Sequence, residues 1–529
     1  MPHLTLLHAR SSHRPSRHCL CRQGLSSQGL SKQRLAAALL GLGASLSMAA
    51  GCRAASAPVA LHWPTQPPPP LNGNNPVLWI ALASRLGPAA PLVLQAASGA
   101  VTLSDASGQS SSAASLTLRW RELPLAEPLP VERSVLGPFA SFESAEQAAT
   151  AWQALGVPAQ VAFPREFEVW APLGSTAPQG FTAREQRQVL NSRLTLETPA
   201  GALLEGPIQV SAPGGLRWDG GVFQGPFRLQ ANAYGGWSLI EQVPIERYLL
   251  GVVPHEIGAR SPAAALAAQA VLARTWALRN RHRFATDGYH LCADTQCQVY
   301  ADPRQAGAAV RGAIQATQGQ VLSFGDEPIH AVYHATNGGI SAGFEEVWSG
   351  EARPYLQARP DGPSAFAQRF AVPLPATLLP GLLSQGGSAY GADHPRFRWQ
   401  RRLTGAQIGQ DLARSGGPSI GTPLRLKVLE RGPSGRVVAL AVEGSAGERV
   451  LRLDAIRRTF RQLPSTLFEL VPDGAGAWRF VGGGFGHGAG LSQAGAIDLA
   501  ARGWSLTRIL EHYYPGTDLR PISSFGGDL

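Results

Sequence analysis

The sequence has little lysine, few charged side chains and few cysteines. Lysine occurs twice, at Lys32 and Lys427, and arginine carries the rest of the positive charge, which indicates coding bias more than chemistry. Charged residues make up 16% of the 529 residues and hydrophobic residues 44%, which excludes a wholly disordered protein and a coiled coil. The 60 glycines and 42 prolines indicate many turns, and the length predicts about three domains.

Long apolar runs are also scarce. The run Leu35–Ala50 is too short and too rich in Ala and Gly for a spanning helix, and it is typical of the apolar core of a signal peptide. Small residues precede Cys52 as in the cleavage box of a bacterial lipoprotein, so Cys52 is a candidate for lipid attachment. Cleavage without lipidation and a retained anchor are the alternatives. The sequence therefore predicts a signal peptide over 1–53 and export to the periplasm or cell envelope.

The net charge of +10 does not indicate a nucleic-acid partner. Residues 1–53 hold seven basic side chains and no acidic one, so the difference between +10 and +7 leaves +3 for the rest of the chain. A net charge of that size over so long a chain gives no basis for nucleic-acid binding. We therefore expect none.

The body divides by composition, and the fold class that it predicts is α+β. Residues 54–76 are expected to form a Pro-rich linker, followed by a β-rich N-terminal segment over 77–130. Residues 131–178 predict a small βαβ module. Antiparallel strands packed with a helical core are expected over 180–520, because alternating apolar and polar residues precede an Ala-rich helical region.

The predicted βαβ module has a helix capped by Ser144, with Ala148, Trp152 and Leu155 on one face. Its phrase LGPF-x-S-x-E-x-A resembles half of a SPOR-type domain, a module that binds bare glycan strands. The alternative is a structural insertion.

The chemistry is expected to begin at Glu256. Residues Pro244–Ile257 predict a helix in which Ile245, Leu249, Val252 and Glu256 share a stripe, so a carboxylate is aimed where aliphatic side chains point. Pro254 should loosen the last turn, because it removes one helical hydrogen bond. Desolvation by Leu249 and Val252 would raise the pKa of Glu256, as a general acid requires. A satisfied buried acid or a helix cap is the alternative.

A second helix is predicted after Glu256. Ser261 and Pro262 would open it, as a cap and a first-position proline, and the following run is crowded with alanine on every face. Because alanine allows close approach of neighbouring backbones, this helix should be central and buried.

Two polar, Gly-rich segments are candidate walls of a binding groove. In Tyr333–Ser341, Tyr333, His334, Thr336 and Asn337 are candidates for contacts with sugar hydroxyls, and a self-stabilised turn is the alternative.

In Gly482–Ala496, six glycines in nine residues leave few side chains, and His487 and Gln493 are the candidates there. Nucleotide binding is not expected, because no Lys-Ser/Thr pair follows the glycines. A His487 that packs against the last helices is the alternative.

Only two cysteines, Cys292 and Cys297, lie in the body, too few for a disulfide scaffold. With His290 nearby they are a weak metal signal, since structural zinc takes four ligands. A disulfide, a structural zinc and free thiols are the three interpretations that the residues leave open.

Four collinear blocks carry a resemblance to a known family. They are PIERYLLGVVPHEI with SPAAALAAQAVLARTWAL, CQVYADPRQAGAAV, AVYHATNGGISAGFEEVWSGEARPYL, and GGGFGHGAGLSQAGAIDLAARGWSLTRILEHYYPGTDL. Together they span about residues 235–520 and resemble the SpoIID/LytB family, that is, stage II sporulation protein D and its amidase-enhancer relatives.

The resemblance implies a peptidoglycan lytic transglycosylase that acts on glycan strands stripped of peptide, with Glu256 as general acid and base. It also implies that no cofactor is required. Some members hold zinc with two cysteines and two histidines, but Gln296 stands here where a histidine commonly precedes the second cysteine.

The expected partners are peptidoglycan glycan strands and an N-acetylmuramoyl-L-alanine amidase. A hydrolysing glycosidase would need a second carboxylate, for which Asp294, Glu345 and Glu346 are the candidates. A non-catalytic amidase enhancer that binds peptidoglycan is the alternative function.

Overall fold

Strands from distant parts of residues 77–244 interleave in two large, mostly antiparallel sheets. The structure, a computed structural model, describes residues 59–384, 386–474 and 476–525. The predicted signal peptide and Cys52 lie outside the described residues. Mixed α and β structure agrees with the predicted α+β class, whereas the SPOR-like identity of residues 131–178 is not confirmed.

The first sheet has seven strands, in the spatial order Leu291–Cys292, Val77–Leu86, Trp237–Pro244, Phe227–Ala231, Ile208–Ser211, Val101–Ser104 and Ser110–Ala113. The second sheet has the order Gly221–Phe223, Leu216–Trp218, Leu92–Ala96, Ser115–Phe139, Phe167–Ala171 and Gln160–Ala162, and strand Arg184–Glu197 pairs with both Ser115–Phe139 and Leu203–Leu204. Residues 77–130 and 180–243 therefore share sheets and a core.

The β segments of the C-terminal half form smaller sheets. These comprise Glu327–Pro328, Gln320–Phe324 and Asp518–Pro521; Tyr333–His334 with Leu491–Ser492; Ile340–Ser341 with Arg359–Pro360; Arg398–Thr404, Ala477–Gly483 and Phe468–Pro472; and Pro423–Arg431, Val437–Gly444 and Gly447–Arg452. The last two three-stranded sheets pack around their own apolar cluster, which includes Leu403, Leu440 and Phe480.

The α-helices are, from α1 to α10, Phe142–Ala154, Ile245–Val253, Ala263–Arg279, Ala308–Ala316, Ser364–Arg369, Leu379–Ser384, Gly405–Arg414, Asp454–Thr459, Gln493–Ala501 and Leu506–Tyr513. Helix α3 is central and buried, as its alanines predict: every residue from Ala265 to Leu278 is buried. In the described part of the chain, no helix combines the length and the apolar character needed to cross a membrane.

The cap predicted for α1 is wrong by one turn. Ser141 is the N-cap, and its hydroxyl accepts the Ser144 backbone N–H, while Ser144 lies inside the helix. Ala148 and Trp152 are buried as predicted, but Leu155 is 61% exposed because it lies at the C-terminal cap. The two serines are three residues apart, so the sequence pattern did not distinguish them.

The cap predicted for α3 is also displaced. Pro262 holds the N-cap position without a side-chain hydrogen bond. The Ser261 hydroxyl instead donates to the Ile257 carbonyl, 2.7 Å away. Ser261 thus closes the turn that follows Glu256 rather than opening α3.

The described part of the Pro-rich segment is not a free linker. Its backbone is held by the protein body: Trp63 N donates to Ala233 O at 3.2 Å, and Pro69 O lies 3.1 Å from His290 Nε2. Leu71 is 1% exposed and belongs to the main core. Segment 59–76 is therefore part of the folded body.

Candidate active site

Glu256 lies in a single π-helical turn, Pro254–Gly258, that directly continues α2. The turn widens where Pro254 has no N–H to donate to the preceding helix, so the loosened last turn predicted from the sequence is observed. Ile245, Leu249 and Val252 are fully buried, whereas Glu256 is half-buried. The turn thus presents a carboxylate beside a helix whose apolar stripe is anchored in the core.

The Glu256 side chain lines a cavity of about 290 Å³, which we call the cleft. Its walls include side chains of α1, α3, the segment 295–299, the strand at Tyr333 and the Gly-rich loop. The wall residues are Glu143, Trp276, Arg283, Thr295, Gln296, Cys297, Val299, Val332, Tyr333, Trp348 and His487. Leu249 and Val252 are not among them. The apolar surroundings of the cleft come instead from residues such as Trp276, Val332 and Trp348, which are distant in sequence.

Burial raises the pKa of Glu256 above its ordinary value. Three hydrogen bonds oppose this by stabilising the ionised form: those from the Val299 N–H, which lies 2.9 Å from Oε1, and from the side chains of Gln493 and Tyr333. Desolvation outweighs them. The carboxyl group is therefore held in place by donors and kept more basic than an exposed glutamate, which is the combination that proton donation near neutral pH requires.

Tyr333 joins Glu256 to a buried hydrogen-bonded chain. Gln298 Nε2 donates to Tyr333 Oη at 2.9 Å, and Tyr248 Oη donates to Gln298 Oε1 at 3.0 Å. The negative charge of Glu256 adds to burial in raising the pKa of both tyrosines, so they remain neutral donors. This chain orients the hydroxyl that faces Glu256.

His487 lines the cleft in one defined tautomer. Its Nδ1 accepts the Ala489 N–H at 3.2 Å, so Nε2 carries the proton and donates to the Tyr333 carbonyl at 2.8 Å. Burial lowers the pKa of His487 to about 3, which keeps the ring neutral. His487 therefore positions the Tyr333 backbone and offers its ring edge to the cleft.

Three of the predicted sugar-binding side chains do not reach the cleft. His334, Thr336 and Asn337 are at most 5% exposed, and they are absent from the cleft walls. Asn337 Nδ2 donates to Asp361 Oδ2 at 2.7 Å, and His334 Nδ1 lies 3.1 Å from the Ala489 carbonyl. Buried groups with internal partners cannot contact a polysaccharide, so the turn-stabilising alternative describes these three residues.

The Gly-rich loop packs directly against that turn. Thr336 and Phe485 form an isolated antiparallel bridge, and Tyr333 pairs with Leu491 in a parallel ladder. At Gly490 the backbone φ is +70°, and a Cβ there would lie 2.1 Å from the Val332 carbonyl. Glycine is therefore required at this position for close approach, and the loop brings Gln493 and His487 to Glu256.

A second carboxylate faces the cleft from an unexpected element. Glu143 lies in the first turn of α1, and Arg283 Nη1 contacts its Oε1 at 3.0 Å. The sequence contained no local sign of it, because α1 is more than a hundred residues before Glu256. Of the candidates named for this role, Asp294 and Glu345 are exposed and outside the cleft, and Glu346 is 2% exposed and bonded to Ser434.

Cys292 and Cys297 form a disulfide, with their Cα atoms 5.7 Å apart. Both nitrogens of His290 are engaged, Nδ1 by the Trp79 N–H at 2.9 Å and Nε2 near Pro69 O. Paired cysteines offer no thiolates, and among the described residues no group of three or more His, Cys, Asp or Glu could hold a metal. Paired cysteines and an engaged His290 do not fit a structural zinc site, which takes four ligands.

Two family models match the chain. One, described as Stage II sporulation protein (SpoIID), matches residues 233–324, and one described as a domain of unknown function (DUF8618) matches residues 342–490. Stage II sporulation protein D from Bacillus amyloliquefaciens is 29% identical over 311 residues, which cover 54% of this chain and 77% of that protein. The B. subtilis protein of the same name is 28% identical over 304 residues, with the same coverage.

An amidase enhancer from B. subtilis is 28% identical over 297 residues, which cover 51% of this chain and 40% of that protein. The fold and the site define an α+β protein with a glutamate of raised pKa in a partly apolar cleft. The match to the SpoIID family model and the similarity to stage II sporulation protein D and to an amidase enhancer support the SpoIID/LytB family. The match over 233–324 includes Glu256 and the disulfide-bonded segment.

Proposed function

We propose that this protein is a peptidoglycan lytic transglycosylase that cleaves glycan strands stripped of peptide. The reaction breaks the bond between N-acetylmuramic acid and N-acetylglucosamine and leaves a 1,6-anhydro-muramic acid end. The family is associated with cell-wall lytic activity, which is the coarser basis for the proposal. The observation that carries it is the Glu256 carboxyl group, which has a raised pKa and sits among aromatic and aliphatic cleft walls.

In this mechanism Glu256 acts twice. Its protonated carboxyl donates to the glycosidic oxygen, the bond from muramic acid C1 to that oxygen breaks, and the N-acetylglucosamine end leaves with a free hydroxyl. The resulting carboxylate then accepts the proton of the muramic acid 6-hydroxyl as this oxygen bonds to C1. Glu256 ends protonated and no water is consumed, so one placed carboxylate suffices, whereas a hydrolase commonly needs two.

The neighbouring groups have supporting roles in the proposal. Val299 N–H, Tyr333 and Gln493 would stabilise the carboxylate between the two steps, and neutral His487 would hold the Tyr333 backbone. Tyr333, Gln493 and His487 remain candidates for sugar contacts. Glu143, ion-paired with Arg283, is the residue that would serve a hydrolytic muramidase instead.

The test is incubation of purified protein with amidase-treated glycan strands, followed by mass spectrometry of the ends. We expect anhydro ends from the wild type and a loss of at least about a thousandfold in rate for Glu256→Gln, which cannot donate the proton. Glu345→Gln, at an exposed acid outside the cleft, is the matched control and should retain full activity. Reducing ends would indicate a muramidase, and wild-type turnover by Glu256→Gln would refute the assignment.

A binding function is the second candidate, because one of the relatives is named an amidase enhancer. In that case the protein would bind peptidoglycan and stimulate an amidase without turnover. Absence of any cleavage, together with faster peptide release when a purified amidase is added, would favour it.

We further propose that the protein is exported and works in the cell envelope. The disulfide is consistent with an oxidising compartment. A signal peptide over 1–53, with a lipid on Cys52 as one variant, would deliver it there. The SPOR-like interpretation of residues 131–178 is kept as part of this proposal, since α1 of that module contributes Glu143 to the cleft. No cofactor is required by the proposed reaction.

A further inference from the structure

A larger groove continues from the cleft. It has a volume of about 850 Å³ and shares Thr295, Gln296, Trp348 and His487 with the cleft, so the two are continuous. Five arginines line it, and we call it the arginine groove: Arg396, Arg401, Arg457, Arg458 and Arg461. All five lie within residues 342–490, the match to a domain of unknown function.

The positive charge of the arginine groove is mostly uncompensated. Arg458 pairs with Glu166 at 2.6 Å, but the other four arginines make no ion pair with any residue that the structure describes. The wall contains two acids, Glu346 and Asp454. Five cations facing two anions leave a strongly positive wall.

Both acids are already engaged by other groups. Glu346 Oε1 accepts the Ser434 hydroxyl at 2.6 Å, and Asp454 Oδ2 accepts the Ser144 hydroxyl at 3.2 Å. Burial also raises the pKa of Asp454 to about 6, so its negative charge is lost only below that pH. The arginines of the wall therefore still outnumber its acids by five to two.

Arg457 brings an unpartnered donor atom to this wall. Its Nε is buried with no hydrogen-bond partner among the described residues, and burial lowers the pKa of the guanidinium. Asp454 is a nearby favourable charge, but a buried donor atom without a hydrogen-bond partner is costly unless a ligand completes it. Arg401 and Arg461 are exposed at the same groove, where a bound strand would meet them.

The proposed substrate has one anion in every disaccharide. Removal of the stem peptide by an amidase leaves a free carboxylate on the lactyl group of each muramic acid, whereas an intact strand has an amide there. A guanidinium donates two parallel hydrogen bonds to a carboxylate, which makes arginine the suitable partner.

Resting on the function proposed above, we propose that the arginine groove binds the free lactyl carboxylates of a stripped glycan strand and so selects such strands for the cleft. This assigns anion recognition to the segment 342–490. The groove is continuous with the cleft that holds Glu256, so a strand held by its carboxylates would extend into the cleft. The selection acts on binding and leaves the proton transfer at Glu256 unchanged.

The experiment compares two substrates that differ only in charge. Stripped strands are used as such, or with their carboxylates converted to methyl amides, and binding to the Glu256→Gln protein is measured so that no turnover interferes. We expect the charged strands to bind at least about tenfold more tightly at low salt, and the difference to shrink as ionic strength rises.

The variants Arg401→Gln and Arg461→Gln, at exposed positions, should together abolish that difference. Arg457→Gln should do the same if it folds, as judged by circular dichroism. Arg311→Gln, at an exposed arginine outside the groove, is the matched control and should bind like the parent protein. Equal binding of both substrates, or unchanged discrimination in the Arg401/Arg461 double variant, would overturn the proposal.

The outcome separates the groove from the reaction. Charge-dependent binding without cleavage by the wild type would refute the transglycosylase function and support the binding role of the arginine groove. Cleavage of both substrates at equal kcat/KM would support the transglycosylase function and refute the binding role of the groove. Poly(glycerol phosphate) is included as a competitor: if it displaces the strands at lower concentration than free strands do, the groove is for phosphate polymers and the carboxylate assignment is wrong.

Discussion

At the scale of single residues, the behaviour of Glu256 depends on a balance between burial and hydrogen bonding. Burial raises its pKa, and the Val299 N–H, Gln493 and Tyr333 lower it. The sequence pattern correctly indicated a desolvated carboxylate, but it assigned the desolvation to Leu249 and Val252. The walls that desolvate it come from elsewhere in the chain, because the π turn carries Glu256 away from the buried stripe.

Removing one of these donors should move the pH profile. Gln493→Leu removes a hydrogen bond that stabilises the Glu256 carboxylate, so the pKa of Glu256 rises further. A general acid is active while protonated, so the alkaline limb of kcat/KM should shift to higher pH, with the maximal rate reduced by no more than about tenfold. The measurement is a pH–rate profile on stripped strands. Gln315→Leu, at an exposed glutamine of α4, should leave the limb in place.

The same balance predicts a stability effect for Glu256→Gln. An acid with a raised folded pKa favours the folded state while protonated, and this contribution is lost as pH rises from the unfolded value toward the folded one. At pH values above the folded pKa, the wild type carries a desolvated negative charge on Glu256, whereas the glutamine side chain of the variant is neutral. We expect the variant to melt at or above the wild-type Tm at pH 8 and to lose that advantage at pH 4. A lower Tm for the variant at both pH values would contradict this.

At the scale of elements, the disulfide closes a short loop two residues before the Glu256 partner Val299. Residues 292–297 are linked across five positions, and Thr295, Gln296 and Cys297 all line the cleft. The sequence left disulfide, zinc and free thiols open because spacing alone does not place a third ligand. In the tertiary structure the two cysteines are paired, and both His290 nitrogens have other partners.

Replacing both cysteines by serine should cost about 2 kcal/mol in the free energy of unfolding, the loop-entropy value for so short a loop. We also expect a lower kcat, because the Val299 N–H is no longer held against Glu256. Urea unfolding and turnover assays on the double variant test this. Wild-type protein treated with reductant should behave in the same way, whereas unchanged activity in both would separate the disulfide from the site.

Helix α3 shows how close packing follows from small side chains. Ala268 is fully buried in the centre of the helix, so Ala268→Leu should overpack the core and cost about 1–3 kcal/mol. Thermal denaturation measures the effect. Ala263→Leu, at the exposed first position of the same helix, should change stability by less than about 0.5 kcal/mol.

At the scale of the whole molecule, segments distant in sequence share one core. The Pro-rich segment, the strands of 77–130 and the strands of 184–244 all contribute to it. Proline content suggested a spacer for residues 54–76, yet Leu71 is inserted among the core side chains. Composition does not reveal such docking, because the contacts that hold the segment lie on strands and loops far along the chain.

Leu71→Ala therefore should destabilise the body by about 3 kcal/mol, through lost burial and the cavity left behind. Val59→Ala, at a position 58% exposed in the same segment, should have an effect below about 0.5 kcal/mol. Chemical denaturation of both variants distinguishes the cases. Equal stabilities would mean that the segment is only loosely attached.

The sequence by itself determined the α+β class, the buried Ala-rich helix, the break at Pro254 and the resemblance to the SpoIID/LytB family, because local periodicity, proline chemistry and long motifs act over short distances. Only the tertiary structure decided which polar side chains meet Glu256. It buried His334, Thr336 and Asn337, and it brought Glu143 and five arginines to one continuous groove. The physical reason is that a cleft is built from side chains that approach through packing, and their separation along the chain does not encode that approach.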